Sequence, residues 1–292
     1  MLRLNPRRTR PYSPRYVTNR LILGDALEVL PLLPEGIADL VFLDPPYALR
    51  LPRRRRNKLR RWGDRSRVEG VFVPWDQFDD FASYDRFMER LLGELRRVMK
   101  PQATLWVIGT YHSIYRIGRL LQDLDFWILN DVIWIKTNPM PNWLGVRFTN
   151  ATETLLWASL GRKVKPRSEK NPEGYYFNRN FAKQFGLGRA GSNLWEIPTC
   201  GGKERLRDEA GRRLHPTQKP LELLRRVLLT TSQEGALVLD PMAGVGTTGV
   251  AAVELNRKFI LIERDPRYAE AAEQRLREAR RKRSGRLRQS GG

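Results

Sequence analysis

The sequence predicts an α/β protein built on a doubly wound, mostly parallel sheet, and three observations carry that prediction. Short apolar runs alternate with longer stretches of helical period, the pattern given by a sheet whose faces are both covered by helices. Two of those runs end in unusual turns, Asp44-Pro45-Pro46-Tyr47 and Asp240-Pro241-Met242-Ala243-Gly244-Val245-Gly246-Thr247-Thr248. In such sheets ligands bind where loops leave the carboxyl ends of the strands. Finally, 292 residues at 41% hydrophobic composition suffice for one large buried core.

In chain order, residues 1–18 form a basic arm with Arg3, Arg7, Arg8, Arg10 and Arg15, expected to be poorly ordered. The folded domain is expected over 19–283. Its first strands are read at Arg20–Leu23 and Ala38–Leu43, brief apolar runs closed by turn residues. A basic insert at 50–74 follows, carrying Arg50, Arg53, Arg54, Arg55, Arg56, Lys58, Arg60, Arg61, Arg65 and Arg67. Helical spacing predicts Tyr84–Met99 and Ser113–Gln122, on either side of a strand at Ala103–Ile108. Further strands are expected at Trp127–Ile135 and Thr154–Ala158. Between Gly161 and Leu214 periodicity fades into Gly, Asn, Arg, Lys and aromatic residues. It resumes with helix Pro220–Thr231, strand Ala236–Leu239, helix Thr247–Leu255, strand Lys258–Ile262 and helix Pro266–Arg281. Residues 284–292 read as a disordered basic tail.

The first turn suggests chemistry on an amine. An exocyclic base amine is a poor nucleophile because its lone pair is delocalised into the ring. Asp44 and a backbone carbonyl can draw that pair out of conjugation by accepting both N–H bonds. Pro45 and Pro46 have no N–H of their own and restrict the backbone, so the Pro45 carbonyl can be held toward a base, while Tyr47 offers a stacking face. A plain strand-to-turn corner would also suit Asp-Pro-Pro.

The second turn decides between them. Strand, glycine turn and helix make a nucleotide-site signature, since the glycines permit positive φ and close approach, and the helix start presents free N–H groups. Glu263 ends the next strand about 20 residues later, where a ribose-binding carboxylate is expected. No Gly-Lys-Ser/Thr follows and the full Gly-x-Gly-x-x-Gly is absent. The expected ligand is therefore a nucleoside rather than a nucleotide.

Together with His215-Pro216-Thr217-Gln218-Lys219-Pro220, the two turns resemble, in this order, the β class of S-adenosylmethionine-dependent DNA amino-methyltransferases. The likeness runs from about Asn19 to Leu276 and is closest to the cell-cycle-regulated and Hinf-type adenine-N6 enzymes. It includes Leu23-Gly24-Asp25, Leu105-Trp106-Val107-Ile108, Arg147-Phe148-Thr149-Asn150 and Gly201-Gly202-Lys203-Glu204. The resemblance implies a Rossmann-like methyltransferase sheet in circularly permuted order, with the catalytic half before the cofactor half. It implies catalytic roles for Asp44, Pro45, Pro46 and Tyr47. Asp240, Met242, Gly244, Gly246, Thr247 and Thr248 would surround the methionine part of S-adenosylmethionine, and Glu263 its ribose. Asp25 would approach its adenine, unless it is a simple helix cap. Thr217, Gln218 and Lys219 would border its amino-acid end, with a carboxylate as the partner of Lys219. His215 receives no role. Met242 stands where the family usually has Phe, and the C-terminal DNA-binding segment of the nearest subgroup is expected to be lacking.

Charge points to the same partner. Lys+Arg 53 against Asp+Glu 32 gives net charge +21, an excess that attracts a phosphate backbone without reading its sequence. The insert, which directly follows the base-gripping turn, is expected to touch double-stranded DNA. Residues 137–214 form the candidate target-recognition region, with Trp143, Tyr175-Tyr176-Phe177 and Asn178-Arg179-Asn180 as candidates for stacking and base-edge hydrogen bonds. A lone cysteine, Cys200, excludes an internal disulfide and a Cys-rich zinc site, and its surroundings resemble no Pro-Cys loop of the carbon-5 cytosine enzymes. No segment reads as a membrane span or signal peptide, so a cytoplasmic, nucleoid-associated location is expected. The reaction expected is direct transfer from S-adenosylmethionine to the N6 amine of a flipped adenine, without metal or covalent intermediate. The alternative is N4 of cytosine, where relatives more often have Ser in place of Asp44. The sequence leaves open a cognate restriction endonuclease, a homodimer and the target site.

Overall fold

The computed structural model describes residues 1–47, 78–142, 145–186 and 191–290, with side chains to 285. The insert at 50–74 and Trp143 lie outside the described residues. Among the described residues, eight strands form one sheet: β1 (Arg20–Leu23), β2 (Ala38–Leu43), β3 (Met99–Gly109), β4 (Trp127–Lys136), β5 (Thr152–Ser159), β6 (Leu194–Ile197), β7 (Leu237–Asp240) and β8 (Lys258–Glu263). Their order is β1-β8-β7-β2-β3-β5-β4-β6, and of these only β5 runs against its neighbours. The expected mostly parallel, doubly wound sheet is therefore present.

The strands are apolar on both faces because both are covered. Along β2, Val41 and Leu43 enter one core while Leu40 and Phe42 enter the other. Helices α3 (Phe81–Val98) and α4 (Ile114–Asp123) cover the first face. The second is covered by α6 (Leu221–Thr231), α7 (Thr247–Glu254) and α8 (Pro266–Ser290). Helix α3 starts at Asp80, which accepts from the Ser83 amide while Ser83 Oγ accepts from the Asp80 amide. Its buried Tyr84, Met88, Leu91, Leu92, Leu95 and Val98 form one stripe. Burying each such side chain is worth about 1.5–3 kcal/mol. Three short helices, α1 (Pro14–Val17), α2 (Ala26–Val29) and α5 (Arg179–Ala182), fill connections.

Four expectations need correction. The arm at 1–18 is docked rather than loose: the Leu2 amide donates to Leu21 O at 2.8 Å, and Leu2 O accepts from the Leu23 amide at 2.8 Å. Leu2, Leu4 and Tyr12, interspersed among the arginines, pack on the core, and edge strand β1 supplies the free backbone groups. The stretch 284–290, expected as disordered tail, continues α8, since Leu, Arg and Gln are good helix formers and only Gly285 interrupts them. Residue Met99 belongs to β3 rather than to the preceding helix. The region 137–214 is partly scaffold, because β5 lies inside the sheet and β6, which the sequence reading missed, closes its edge.

Position now follows from topology. Chain order reverses between β2 and β7, whose neighbours β3 and β8 lie on opposite sides. Loops leaving these two strands diverge and open a crevice at their carboxyl ends. Asp44 follows β2 and Asp240 ends β7, so both turns lie on that rim.

Candidate active site

Asp44 leaves β2 into a corner that α3 holds in place. The buried Tyr84 hydroxyl donates to Pro46 O at 3.0 Å. Asp44 Oδ1 accepts from the Tyr47 hydroxyl at 2.9 Å, and Oδ2 lies 2.8 Å from Lys219 Nζ. The same Tyr47 hydroxyl is 3.1 Å from Glu153 Oε2, near the start of β5. Glu153 Oε1 in turn meets Lys136 Nζ, at the end of β4, at 2.9 Å. Burial pushes the Asp44 carboxyl up, against the pull of Lys219. It also pulls the Lys219 ammonium down, but Asp44 and Glu153 outweigh it and hold the charge. Burial and the two carboxylates keep Tyr47 in its phenol form.

The glycine turn is braced almost wholly through backbone. Asp240 Oδ1 accepts from the Met242 amide at 3.0 Å and Oδ2 from Thr248 Oγ1 at 2.5 Å. Glu263 Oε2 accepts from the Gly244 amide at 2.8 Å and Oε1 from the Asp265 amide at 2.7 Å. Gly244 and Gly246 have φ of 52° and 76°, and a Cβ on Gly246 would stand 2.8 Å from Ala272 Cβ. The turn therefore requires glycine at 246 for conformation and for space. From beneath, Arg275 Nη1 donates to Val245 O at 2.6 Å and Thr247 Oγ1 at 3.0 Å. Burial lifts Asp240 to about 7 and also raises Glu263, against its backbone hydrogen bonds.

Other expected site residues divide. Gln218 is engaged with the neighbouring loop, accepting from the Leu206 amide at 3.0 Å and donating to Glu204 O at 2.8 Å. Thr217 is half-buried beside Lys219, whose ammonium lies 3.4 Å from its carbonyl. Lys219 has the carboxylate partner foreseen for it, but that partner is Asp44 of the protein. Asp25 accepts from the Leu27 amide at 2.8 Å, which caps α2, and stands 3.7 Å from Arg264 Nη1. Met242 is partly buried against the core. His215 packs edge-on against Tyr268, and burial depresses it to about 3, so it is neutral.

Three further expectations change. Tyr47 is 6% exposed with Lys219 Nζ 5.1 Å from its ring centroid, so a base could stack only on its other face. Tyr175 and Phe177, read as bases' stacking partners, pack on Trp157 instead, with centroids at 5.4 and 5.5 Å. Asn178 caps α5 by accepting from the Phe181 amide at 3.0 Å. The sequence reading missed Glu153 and Lys136. A signal existed: Glu153 is an acidic residue at the mouth of the buried run Leu155–Ser159, where burying a charge demands a partner. Cys200 is buried and its thiol is pushed up to about 11 by burial, the reverse of an activated nucleophile.

A carboxylate corner and a glycine turn with an acidic strand end, facing each other across the switch point of a parallel sheet, define a nucleoside-type group-transfer architecture. Comparison with known proteins makes this specific. The DNA methylase family model for N6 and N4 methyltransferases matches residues 38–274, and the chain belongs to that family. It is 45% identical over 260 residues to the type II methyltransferase M.HinfI of Haemophilus influenzae, covering 89% of this chain and 68% of that protein. It is 34% identical over 275 residues to the type II methyltransferase M2.DpnII of Streptococcus pneumoniae, covering 92% of each. Among solved structures, a DNA modification methylase of Thermus thermophilus, TTHA0409, matches with TM-score 0.60 and 25% identity over 88% of this chain and 94% of that one, and is also known complexed with S-adenosyl-L-methionine. The cytosine-N4-specific PvuII DNA methyltransferase, 19% identical, shares the fold at TM-score 0.65 over 91% of this chain and 88% of its own.

Proposed function

We propose that the protein transfers a methyl group from S-adenosylmethionine to the N6 amine of adenine flipped out of double-stranded DNA. The observation that carries this reading is Asp44: a buried carboxylate on the switch-point rim, held by Lys219 and Tyr47 and facing the glycine turn. One N–H of the base amine goes to Asp44 and the other to the Pro45 carbonyl, with Pro46 fixing the corner. The cofactor supplies an electrophilic methyl group on a sulfonium centre. The donor set fits it: Gly244 and Gly246 allow close approach, and Glu263 and half-exposed Asp25 offer acceptors for ribose hydroxyls and an adenine amine. Asp240, Met242, Thr247 and Thr248 shape the wall on the methionine side, bordered by Thr217. Asp rather than Ser at 44 supports adenine over cytosine N4.

DNA enters from the rim that carries the 138–150 loop. On it Phe148 is fully exposed and Val146 and Met140 largely so, and Arg147 lies 3.5 Å from the Tyr111 hydroxyl. With net charge +21, this face suits a phosphate backbone, and the arginines of the 50–74 insert add phosphate contacts. A partner restriction endonuclease and a homodimer are both compatible with membership of this family. Among the described residues no helix is long and apolar enough to cross a membrane.

The test is to incubate purified protein with unmethylated genomic DNA and S-adenosylmethionine, then analyse nucleosides by mass spectrometry and sequence the modified sites. N6-methyladenine in one motif is expected. N4-methylcytosine would move the target to the other base, and no modified nucleoside would overturn the reading.

A further inference from the structure

The geometry points to a proton path away from the reacting amine, and we propose that Glu153 is its terminus, reached from Asp44 through the Tyr47 hydroxyl. This rests on the reading of the protein as an amino-methyltransferase. Tyr47 has one hydroxyl proton but stands within hydrogen-bond distance of two carboxylates, Asp44 Oδ1 at 2.9 Å and Glu153 Oε2 at 3.1 Å. One proton cannot serve both acceptors fully, so the favourable filling of this chain has a proton on one carboxyl. The two side chains are 17% and 11% exposed, so the path runs largely out of water.

The reaction creates such a proton. Methyl transfer forms the N6–carbon bond and breaks the carbon–sulfur bond, whose electron pair stays on sulfur. The positive charge passes to the amine, which must then lose one N–H. That proton goes to Asp44; as Asp44 passes it to the Tyr47 oxygen, Tyr47 gives its own to Glu153 Oε2. Asp44 is left ionised against Lys219, ready for the next amine. The charged groups around this path balance it: Lys219 faces Asp44 at 2.8 Å and Glu153 at 3.9 Å, and Lys136 from β4 holds Glu153 Oε1 at 2.9 Å. Asp240 on β7 lies close enough to Asp44 for the two charges to interact; Arg205 and neutral His215 lie within electrostatic reach of Lys219. Glu153 touches no reacting atom, so it is a positioning and relay residue acting through Tyr47.

The test compares wild type, Glu153→Gln, Glu153→Asp, Tyr47→Phe and the Tyr47→Phe/Glu153→Gln double variant in single-turnover methyl transfer across pH. Glu153→Gln should lose about 10- to 100-fold in transfer rate, at the low end of acid–base contributions, with DNA and cofactor affinities unchanged. Its acid limb should be displaced, Glu153→Asp should recover part of the rate, and the double variant should be no slower than the slower single one. A second readout needs no turnover: carbon-13 NMR of glutamate-labelled protein, with Glu153 identified by its absence from Glu153→Gln. Its titration should move in both Tyr47→Phe and Asp44→Asn. Additive rate losses with an unmoved acid limb, or a Glu153 titration indifferent to Tyr47 and Asp44, would overturn the relay. If wild type methylates neither base, it is the amino-methyltransferase reading that fails, and the NMR coupling still judges the proton path.

Discussion

The two halves of the rim solve the same problem, holding polar groups in a buried crevice, by opposite means. The glycine turn after β7 is contiguous in sequence and braced by backbone amides, so Asp240, Met242, Gly244, Thr248 and Glu263 form a local device. The corner after β2 draws charged side chains from four distant segments, at Asp44, Lys136, Glu153 and Lys219. The difference teaches where function should be fragile. A backbone-braced turn tolerates change in side-chain charge but not in shape; a charge cluster tolerates change in shape but not in charge.

Asp44→Asn tests the second half of that statement and should have the largest effect. The shape is kept, yet the carboxylate that takes the amine's proton is gone, and methyl transfer should fall by about 10³-fold or more, at the upper end of acid–base effects. S-adenosylmethionine binding by calorimetry should change little, because the glycine turn is untouched. A comparable loss of cofactor affinity would mean the two halves are not separable. Lys219→Met comes next. Lys219 opposes the upward push that burial exerts on Asp44, so its removal should lift the carboxyl further. Activity needs Asp44 ionised and fails as pH falls through its pKa, so the acid limb of the rate profile should move to higher pH. An unmoved limb would detach Lys219 from Asp44.

Gly246→Ala tests the shape half. With φ of 76° and Ala272 Cβ only 2.8 Å from the new methyl group, the turn must distort or α8 must shift. Strain of this kind costs about 1–3 kcal/mol, readable in thermal unfolding. Cofactor affinity should fall with it, while the pH profile of any transfer that remains keeps its wild-type shape.

The same contrast explains what was legible in the sequence. The glycine turn and the Asp-Pro-Pro-Tyr corner are runs of adjacent residues with unusual backbone demands, so a linear reading finds them. Sheet and helices were equally legible, since each strand's apolar run is local. Glu153 and Lys136 were not, because β5 is the one reversed strand among those described and only its insertion between β3 and β4 brings Glu153 to the rim. Gln218 and Asp25 look like ligand contacts in sequence but have local backbone partners. The docked arm was hidden by its arginines, which mask Leu2, Leu4 and Tyr12.

The smallest expected effect concerns stability rather than rate, and it asks whether the backbone-braced half really holds its carboxyl without a counter-charge. Asp240 has Thr248 and the Met242 amide as partners, not a cation, and burial lifts it from 3.8 to about 7. An unfolded chain releases this proton near the ordinary carboxylate value, so between about pH 4 and 7 the folded protein holds one proton more. The stabilisation from this group is then complete below the unfolded pKa and is lost as pH rises through the folded one. Asp240→Asn keeps the acceptor for the Met242 amide and removes the titration. The wild-type unfolding midpoint should therefore decline relative to that of the variant as pH rises across this window. Asp44 and Glu263, also raised by burial, remain in both proteins and largely cancel in the difference. Parallel curves would mean that Asp240 is ionised in the fold, and the glycine turn would then need a positive charge nearby, as the Asp44 corner does.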